Sequence, residues 1–478
     1  MEVGFGTSGL RGTAQALLAG AAAAYTAAFC RHLLQEGLAA PGDVIFIGAD
    51  LRASSPALLE TCLHAISDCG LRPMPCGAVP TPALAHYAMA RNAAAIMVTG
   101  SHIPADRNGL KFYRPDGEIS KQDEQAIAAA LEYGANRSGG DHWASAVAGD
   151  DCHDAVMTEW LERYRSVLEP RLLAGLKIGI DEHSSVAAGS LGEILAGFGA
   201  DIMPFGRLDH FEPLDTEAVN AERLRDYAQR AAHDSLFAIV TTDPDGDRPL
   251  LADETGMPLR GDLLGWITAH WLGADAVAVP VNGNSRIVSG QGLSVTRTRI
   301  GSPYVLEAID TATRGGARTA VGFEPNGGFM TGTDVKLGAS TLSPLPTRDA
   351  VLPILGALQF AVSRKLPLSA LARREGFRSA ASDRIRDFPV ERSHRLMAGL
   401  AKDAKRIEAF VAPLGGVRAT DWTDGLRITL DTGSIVHLRP SGNAPEMRCY
   451  VEADTDGAAE QLLAWGLARI AEIADETG

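Results

Sequence analysis

The chain has 478 residues, 46% hydrophobic and 22% charged, a composition that excludes disordered, collagen-like and low-complexity classes. Its formal net charge of -15, from 44 basic and 59 acidic residues, excludes a duplex-binding surface of clustered Lys and Arg, so nucleic acid is not an expected partner. At roughly 100 to 200 residues per domain, the length predicts about three or four domains, each burying its own core.

In chain order, Phe5-Gly6-Thr7-Ser8-Gly9-Leu10-Arg11-Gly12 comes first. It lacks a preceding strand and does not fit Gly-x-Gly-x-x-Gly, which argues against a dinucleotide site; Arg11 is expected to reach a cleft instead. The start leaves no room for an export signal, and the six cysteines show no paired zinc spacing, so a cytoplasmic protein with reduced thiols is expected. Ala14 to Cys30 is read as a buried helix, too short and too weakly apolar to span a bilayer, and no membrane partner is expected.

Apolar runs then recur between helical stretches at Val44–Ile47, Ala94–Val98, Lys177–Ile180, Phe237–Thr241, Ala276–Val281 and Arg318–Gly322. This alternation predicts βαβ units with strands buried on both faces. The tail predicts a helix over Ser393–Phe410, then strands Leu426–Leu430, Ser434–Leu438 and Arg448–Glu452 with a Thr432-Gly433 turn. Polar or Gly-rich and Pro-rich stretches at 134–154 (with Ser138-Gly139-Gly140), 253–258 and 363–369 suggest boundaries. The expected fold class is therefore α/β: three similar domains with mixed, mostly parallel sheets (1–137, 152–252, 253–366) plus a C-terminal α+β domain (369–478).

The chemistry-bearing residues follow the apolar runs, where open α/β sheets bind ligands. After Val98 comes Thr99-Gly100-Ser101-His102-Ile103-Pro104, with Lys111 ten residues beyond the serine. A hydroxyl on a turn between a strand, a histidine and a lysine suits an activated nucleophile, although a turn serine can simply bond its own backbone. After Thr242 comes Asp243-Pro244-Asp245-Gly246-Asp247-Arg248, whose alternate carboxylates can converge on Mg²⁺ or Mn²⁺. An EF-hand would need glycine where Arg248 stands, and an aspartyl-nucleophile phosphatase normally has Thr or Val where Asp247 stands. Gly322-Phe323-Glu324-Pro325-Asn326-Gly327-Gly328 can offer Glu324 and Asn326 to sugar hydroxyls. Arg439-Pro440-Ser441-Gly442-Asn443-Ala444-Pro445-Glu446-Met447-Arg448 can cradle a phosphate through its arginines, hydroxyl and backbone amides.

Together these motifs resemble the α-D-phosphohexomutases, in their phosphomannomutase and phosphoglucomutase branch, over nearly the whole chain and in the same order. The resemblance implies four domains around a central cleft, with Ser101 carried phosphorylated and Asp243, Asp245 and Asp247 binding one Mg²⁺ together with the Ser101 group. It implies that Glu324 contacts sugar hydroxyls, with Asn326 beside it, and that Arg439, Ser441, Gly442, Asn443 and Arg448 hold the non-reacting phosphate. Arg11, His102, Lys111 and Arg248 would line the transfer site, Lys111 as candidate general acid or base. The implied reaction moves the phosphoryl group of Ser101 onto a hexose phosphate, giving a hexose 1,6-bisphosphate, also the expected activator, which turns round and returns its other phosphoryl group.

Phe5-Gly6-Thr7-Ser8-Gly9 favours the mannose and glucose branch over the glucosamine branch, with mannose phosphate the first expectation and glucose phosphate the second. Departures fall in the sugar grip. Ile103 replaces a common asparagine, Ser302 a common histidine or lysine, Asn326-Gly327-Gly328 a common Ser-Gly-His, and Asn443-Ala444-Pro445 a Thr-Glu-Pro. A monomer or homodimer is expected. A Mg²⁺-dependent sugar-phosphate phosphatase and a catalytically silent sugar-phosphate sensor are the alternatives from other classes.

Overall fold

Three times along the chain the same four-stranded pattern is built. A computed structural model describes residues 3–6, 9–134, 150–290, 292–441 and 445–476. In the first unit Arg72–Ala78, Val44–Ala49 and Ala94–Val98 lie side by side in parallel, and Arg107–Arg114 joins Ala94–Val98 antiparallel. In the second, Asp201–Phe205, Lys177–Asp181 and Ala238–Thr242 are parallel and Pro249–Ala252 is antiparallel. The third repeats it with Ser294–Thr298, Ala276–Pro280, Ala320–Phe323 and antiparallel Phe329–Thr331. Val3–Phe5, Leu10–Thr13 and Gly117–Glu118 extend the first sheet and Leu345–Asp349 the third.

This repetition places the chemistry. In every unit the hairpin from the third strand to the fourth carries the motif: Ser101 in the first, the aspartates in the second, Glu324 in the third. The third strands are apolar and β-branched runs buried along their whole length, so these turns are held on rigid strand ends. The C-terminal unit is an antiparallel sheet ordered Ser379–Ile385, Met447–Ala453, Ile435–Pro440, Leu426–Leu430, Val417–Asp421. Its Ile435–Pro440 to Met447–Ala453 hairpin carries the phosphate-loop motif, with Arg439 directly opposite Arg448.

Packing differs from the expectation of a separate core for each domain. One continuous apolar cluster runs from Phe46 through Trp160, Ile178, Trp266 and Phe323 to Leu371, joining the three α/β units. A second cluster fills the other face of the first sheet, and the C-terminal sheet keeps its own. The first two connections of that mixed core are helices Thr81–Met89 and His153–Arg165, whose Trp160 packs edge-on against Tyr164.

Several expected elements are corrected. The helix expected over Ser393–Phe410 is two, Val390–Ala401 and Ala404–Val411, because the Asp403 carboxylate caps the second by accepting from Lys405 N at 3.0 Å. The helix begun at Ala14 continues to Gln35 and is broken at Gly20, whose φ of 125° is open to glycine alone. At 22 residues it is long and apolar enough to cross a membrane, contrary to the expectation, yet Leu17, Phe29, Cys30 and Leu33 are buried in the second cluster. Strands Ser379–Ile385 and Val417–Asp421 were not anticipated, because neither carries an apolar run. The boundary at Ser138-Gly139-Gly140 lies outside the described residues.

Candidate active site

Ser101 sits in a left-handed backbone conformation, φ 53°, at the end of the buried strand Ala94–Val98. A β-carbon on Gly100 would come within 2.8 Å of the Arg52 guanidinium, so only glycine permits the approach that holds this turn. The buried Arg52 donates to the carbonyls of Ser101, Ile103 and Pro104, each at 2.7 Å, and of Arg107 at 2.9 Å. Asp50 braces it at 3.1 Å and accepts from Thr99 Oγ1 at 2.8 Å. Four converging carbonyls fix a strained serine by over-determination.

The Ser101 hydroxyl donates to Asp243 Oδ2 at 2.7 Å, across two different sheets. Asp243, Asp245 and Asp247 offer oxygens within 4.8 Å of one another, and all three are buried. Burial, then Asp245 and Asp247, push the Asp243 carboxyl well above the usual range. Burial opposes ionisation of Asp245 too, but Lys111 together with hydrogen bonds from Asp243 and Thr81 outweighs it and holds that carboxyl low. Lys111 Nζ donates to Asp245 Oδ2 at 2.6 Å and also to Asp247 Oδ2, and although burial works against its charge, the two aspartates keep its ammonium protonated.

Asp245 Oδ1 and Asp247 Oδ1 are buried without a hydrogen-bond partner among the described residues. Three crowded carboxylates with orphaned oxygens, balanced by one lysine, fit a hard divalent cation. The site therefore passes a chemical test as a Mg²⁺ site on its own geometry.

His102 is neutral. Burial, reinforced by Arg248 and Arg11, pushes its pKa far down. Arg248 Nη1 lies 2.9 Å from His102 Nδ1, and a guanidinium only donates, so Nδ1 accepts and Nε2 carries the hydrogen. Ser101 Oγ is 3.3 Å from the same Nδ1. Arg11 is lowered to about 10 by burial and by the nearby charges of Arg248 and Arg348. Three arginines gathered against their mutual repulsion mark an anion site.

A cleft of about 310 Å³ opens from this point, reaching from Arg11, His102 and Arg248 to Arg439 and Arg448 of the C-terminal hairpin. Glu324 and Asn326 stand on its wall. Arg439 is braced by Asp424 at 2.9 Å, and Arg448 lies 3.7 Å from Glu446. The structure thus brings Arg11, His102, Arg248, Glu324, Asn326, Arg439 and Arg448 to one cavity, with Ser101, Lys111 and the aspartates beneath its serine end. Ser441, whose N–H donates to Glu446 O at 2.9 Å, lies in the hairpin outside the cavity lining, while Gly442 and Asn443 lie outside the described residues.

Sequence reasoning missed four contributors. Arg52 scaffolds the serine turn. Arg348, buried at the end of Leu345–Asp349, donates to Glu324 Oε2 at 2.6 Å and lies 3.8 Å from Asp247, tying the Glu324 turn to the aspartate turn. Asp215 and Glu217 enter the cleft from the loop before Ala221–Asp234. Glu217 is solvent-exposed at the cleft, and the surrounding walls, then Asp215, push its carboxyl upward. Arg52 and Arg348 both stand at strand ends, the signal that could have found them; nothing marks Asp215 or Glu217 in the sequence.

Known proteins resemble the chain in sequence and in fold. Family models match residues 2–138 (Phosphoglucomutase/phosphomannomutase, alpha/beta/alpha domain I), 261–376 (alpha/beta/alpha domain III) and 390–465 (C-terminal domain). The chain is 48% identical over 467 residues to a phosphomannomutase of Sinorhizobium fredii, covering 97% of this chain and 98% of that one. It is 40% identical to a phosphomannomutase of Salmonella muenchen, covering 98% and 95%. Its fold matches a phosphoglucomutase/phosphomannomutase family protein of Burkholderia thailandensis with a TM-score of 0.73 at 18% identity, covering 98% and 97%. It also matches the open form of parafusin, a phosphoglucomutase of Paramecium, at 0.68 and 15%, covering 98% and 94%. With a serine set against three aspartates at one end of the cleft and paired arginines at the other, the chain belongs to the phosphoglucomutase/phosphomannomutase family.

Proposed function

We propose that the protein is a phosphomannomutase, interconverting mannose 1-phosphate and mannose 6-phosphate, with glucose phosphates as the second substrate pair. The observation that carries this reading is the 2.7 Å contact from Ser101 Oγ to Asp243, beneath a cleft whose far wall bears Arg439 opposite Arg448. A phosphatase needs one phosphate site; a mutase must hold a second phosphate while the first reacts. The four-domain division at 1–137, 152–252, 253–366 and 369–478 is part of the proposal, supported by the way the strands group into sheets.

In the forward step the P–O bond to Ser101 breaks as a bond forms to the free sugar hydroxyl, whose proton passes to the departing Ser101 Oγ. The hexose 1,6-bisphosphate turns end for end in the cleft and returns its other phosphoryl group to Ser101 Oγ. Asp243, Asp245 and Asp247 would hold Mg²⁺, which when bound draws charge from the phosphoryl oxygens. Lys111, held protonated, neutralises phosphate charge and can give up a proton but not take one. Arg11 and Arg248 orient the reacting phosphate, and His102 presents a neutral ring to it. Arg439 and Arg448 clasp the distal phosphate.

The test is to incubate the protein with hexose 1,6-bisphosphate and Mg²⁺ and map the modification by peptide mass spectrometry. One phosphate on the peptide containing Ser101 is expected; phosphate elsewhere, or none, contradicts the assignment.

A further inference from the structure

The loop between Asp201–Phe205 and Ala221–Asp234 carries acid into a cleft whose two ends bear arginines. It is fastened at three points. The Phe211 ring lies 4.1 Å beneath the Arg52 guanidinium that holds the serine turn. Ser184 Oγ donates to Glu212 O at 3.0 Å and accepts from Glu212 N at 2.9 Å. Thr216 Oγ1 donates to Asn326 O at 3.0 Å, which ties the loop to the sugar-facing turn. The loop therefore spans the cleft from the phosphoryl end to the ring-binding wall. Within it, Asp215 Oδ1 accepts from Glu217 N at 3.1 Å, and Asp215 Oδ2 is 4.0 Å from His102 Nε2.

Glu217 lines the cleft, and its carboxylate makes no hydrogen bond or ion pair among the described residues. Its charged surroundings are Asp215, Arg248, Arg260, Glu324 and Arg448. The arginines are committed elsewhere: Arg248 to His102 at 2.9 Å, Arg260 to Asp262 at 3.0 Å, Arg448 towards Glu446 at 3.7 Å. Two neighbouring acceptors on this wall are partly used, while Asn282 Oδ1 is buried there without a partner among the described residues. Glu324 Oε2 takes the Arg348 hydrogen bond at 2.6 Å, and Asn326 Oδ1 takes Gly328 N at 2.9 Å.

A carboxylate facing a phosphate is repelled; one facing a hydroxyl accepts a strong, charge-assisted hydrogen bond. Between two cationic ends that take the phosphates, Glu217 meets the ring. We infer that Glu217 accepts a hydrogen bond from a hexose ring hydroxyl and is a sugar-specificity determinant of this cleft, an inference that rests on the mutase reading above.

The test compares wild type, Glu217→Ala and Glu217→Gln by kcat/KM on mannose 1-phosphate, glucose 1-phosphate and deoxyhexose 1-phosphates each lacking one ring hydroxyl. Glu217→Ala should lose about tenfold or more on the parent sugar, and that loss should vanish for the one deoxy sugar lacking the gripped hydroxyl. Glu217→Gln, which keeps an oxygen acceptor, should recover part of the activity, and it carries the test if the alanine variant fails to fold. No loss, or an equal loss on every sugar, with an active wild type would overturn the Glu217 assignment and leave the mutase reading standing. A wild type that isomerises none of these sugars would overturn the mutase reading, and the Glu217 inference with it.

Discussion

Ser101 is held by contacts that do not depend on its own hydroxyl. Its carbonyl takes Arg52 and its N–H donates to Thr99 Oγ1 at 2.8 Å. Removing the hydroxyl should therefore spare the fold while removing the phosphoryl carrier. Ser101→Ala is expected to lower kcat by about three orders of magnitude or more, with the thermal midpoint within a few degrees of wild type. Near-normal turnover would dismiss Ser101 as the carrier. Arg439 acts at the other end of the cleft, where it would bind ground state and transition state alike. Arg439→Ala should raise KM about tenfold or more and change kcat little, and steady-state kinetics showing an unaltered KM would remove it from the phosphate site.

Among the elements, the C-terminal sheet carries a titration that can be read as stability. His437, buried on Ile435–Pro440, stacks on Tyr450, and its Nε2 donates to Asp424 O at 2.6 Å. Burial lowers its pKa to about 4, so between pH 6.5 and 4 the unfolded chain takes up a proton that the folded chain refuses. Stability from this residue is full above pH 6.5 and falls as pH drops, by up to roughly 3 kcal/mol. Urea unfolding of wild type should weaken across that interval, and His437→Gln should flatten the dependence; equal slopes would show that His437 does not contribute. Elements of this kind were legible in proportion to their apolar pattern. The runs at Ala94–Val98 and Leu426–Leu430 match their strands residue for residue, because burial there is decided by local composition. Ser379–Ile385 and Val417–Asp421 were not legible, because their polar residues are held by neighbouring strands. Within the site, the serine and aspartate turns were legible from the strands before them. Asp215 and Glu217 lie in an irregular loop with no strand or glycine turn before them, and nothing in their own surroundings marks them.

At the scale of the whole molecule, a net charge of -15 coexists with a cleft bearing Arg11, Arg248, Arg348, Arg439 and Arg448, so local convergence outweighs the global field where phosphate would bind. The apolar cores divide the molecule differently from the sheets. The three α/β units share one cluster, which Leu371 at the start of the C-terminal unit also joins, whereas the C-terminal sheet keeps its own core and makes polar contacts to the rest that include Ser285 N to Glu452 at 3.0 Å and Asn284 Nδ2 to Arg378 O at 2.9 Å. Calorimetry should resolve two unfolding transitions, the smaller belonging to the C-terminal unit; a single two-state transition would show that these contacts couple the units fully. The central claim is that one cleft serves both ends of a hexose phosphate. ³¹P NMR with Mg²⁺ and a trace of hexose 1,6-bisphosphate, on mannose 1-phosphate and glucose 1-phosphate in parallel, tests it most directly. Conversion of both to the 6-phosphate, faster for mannose, is predicted; release of inorganic phosphate alone would make the protein a phosphatase and contradict the account.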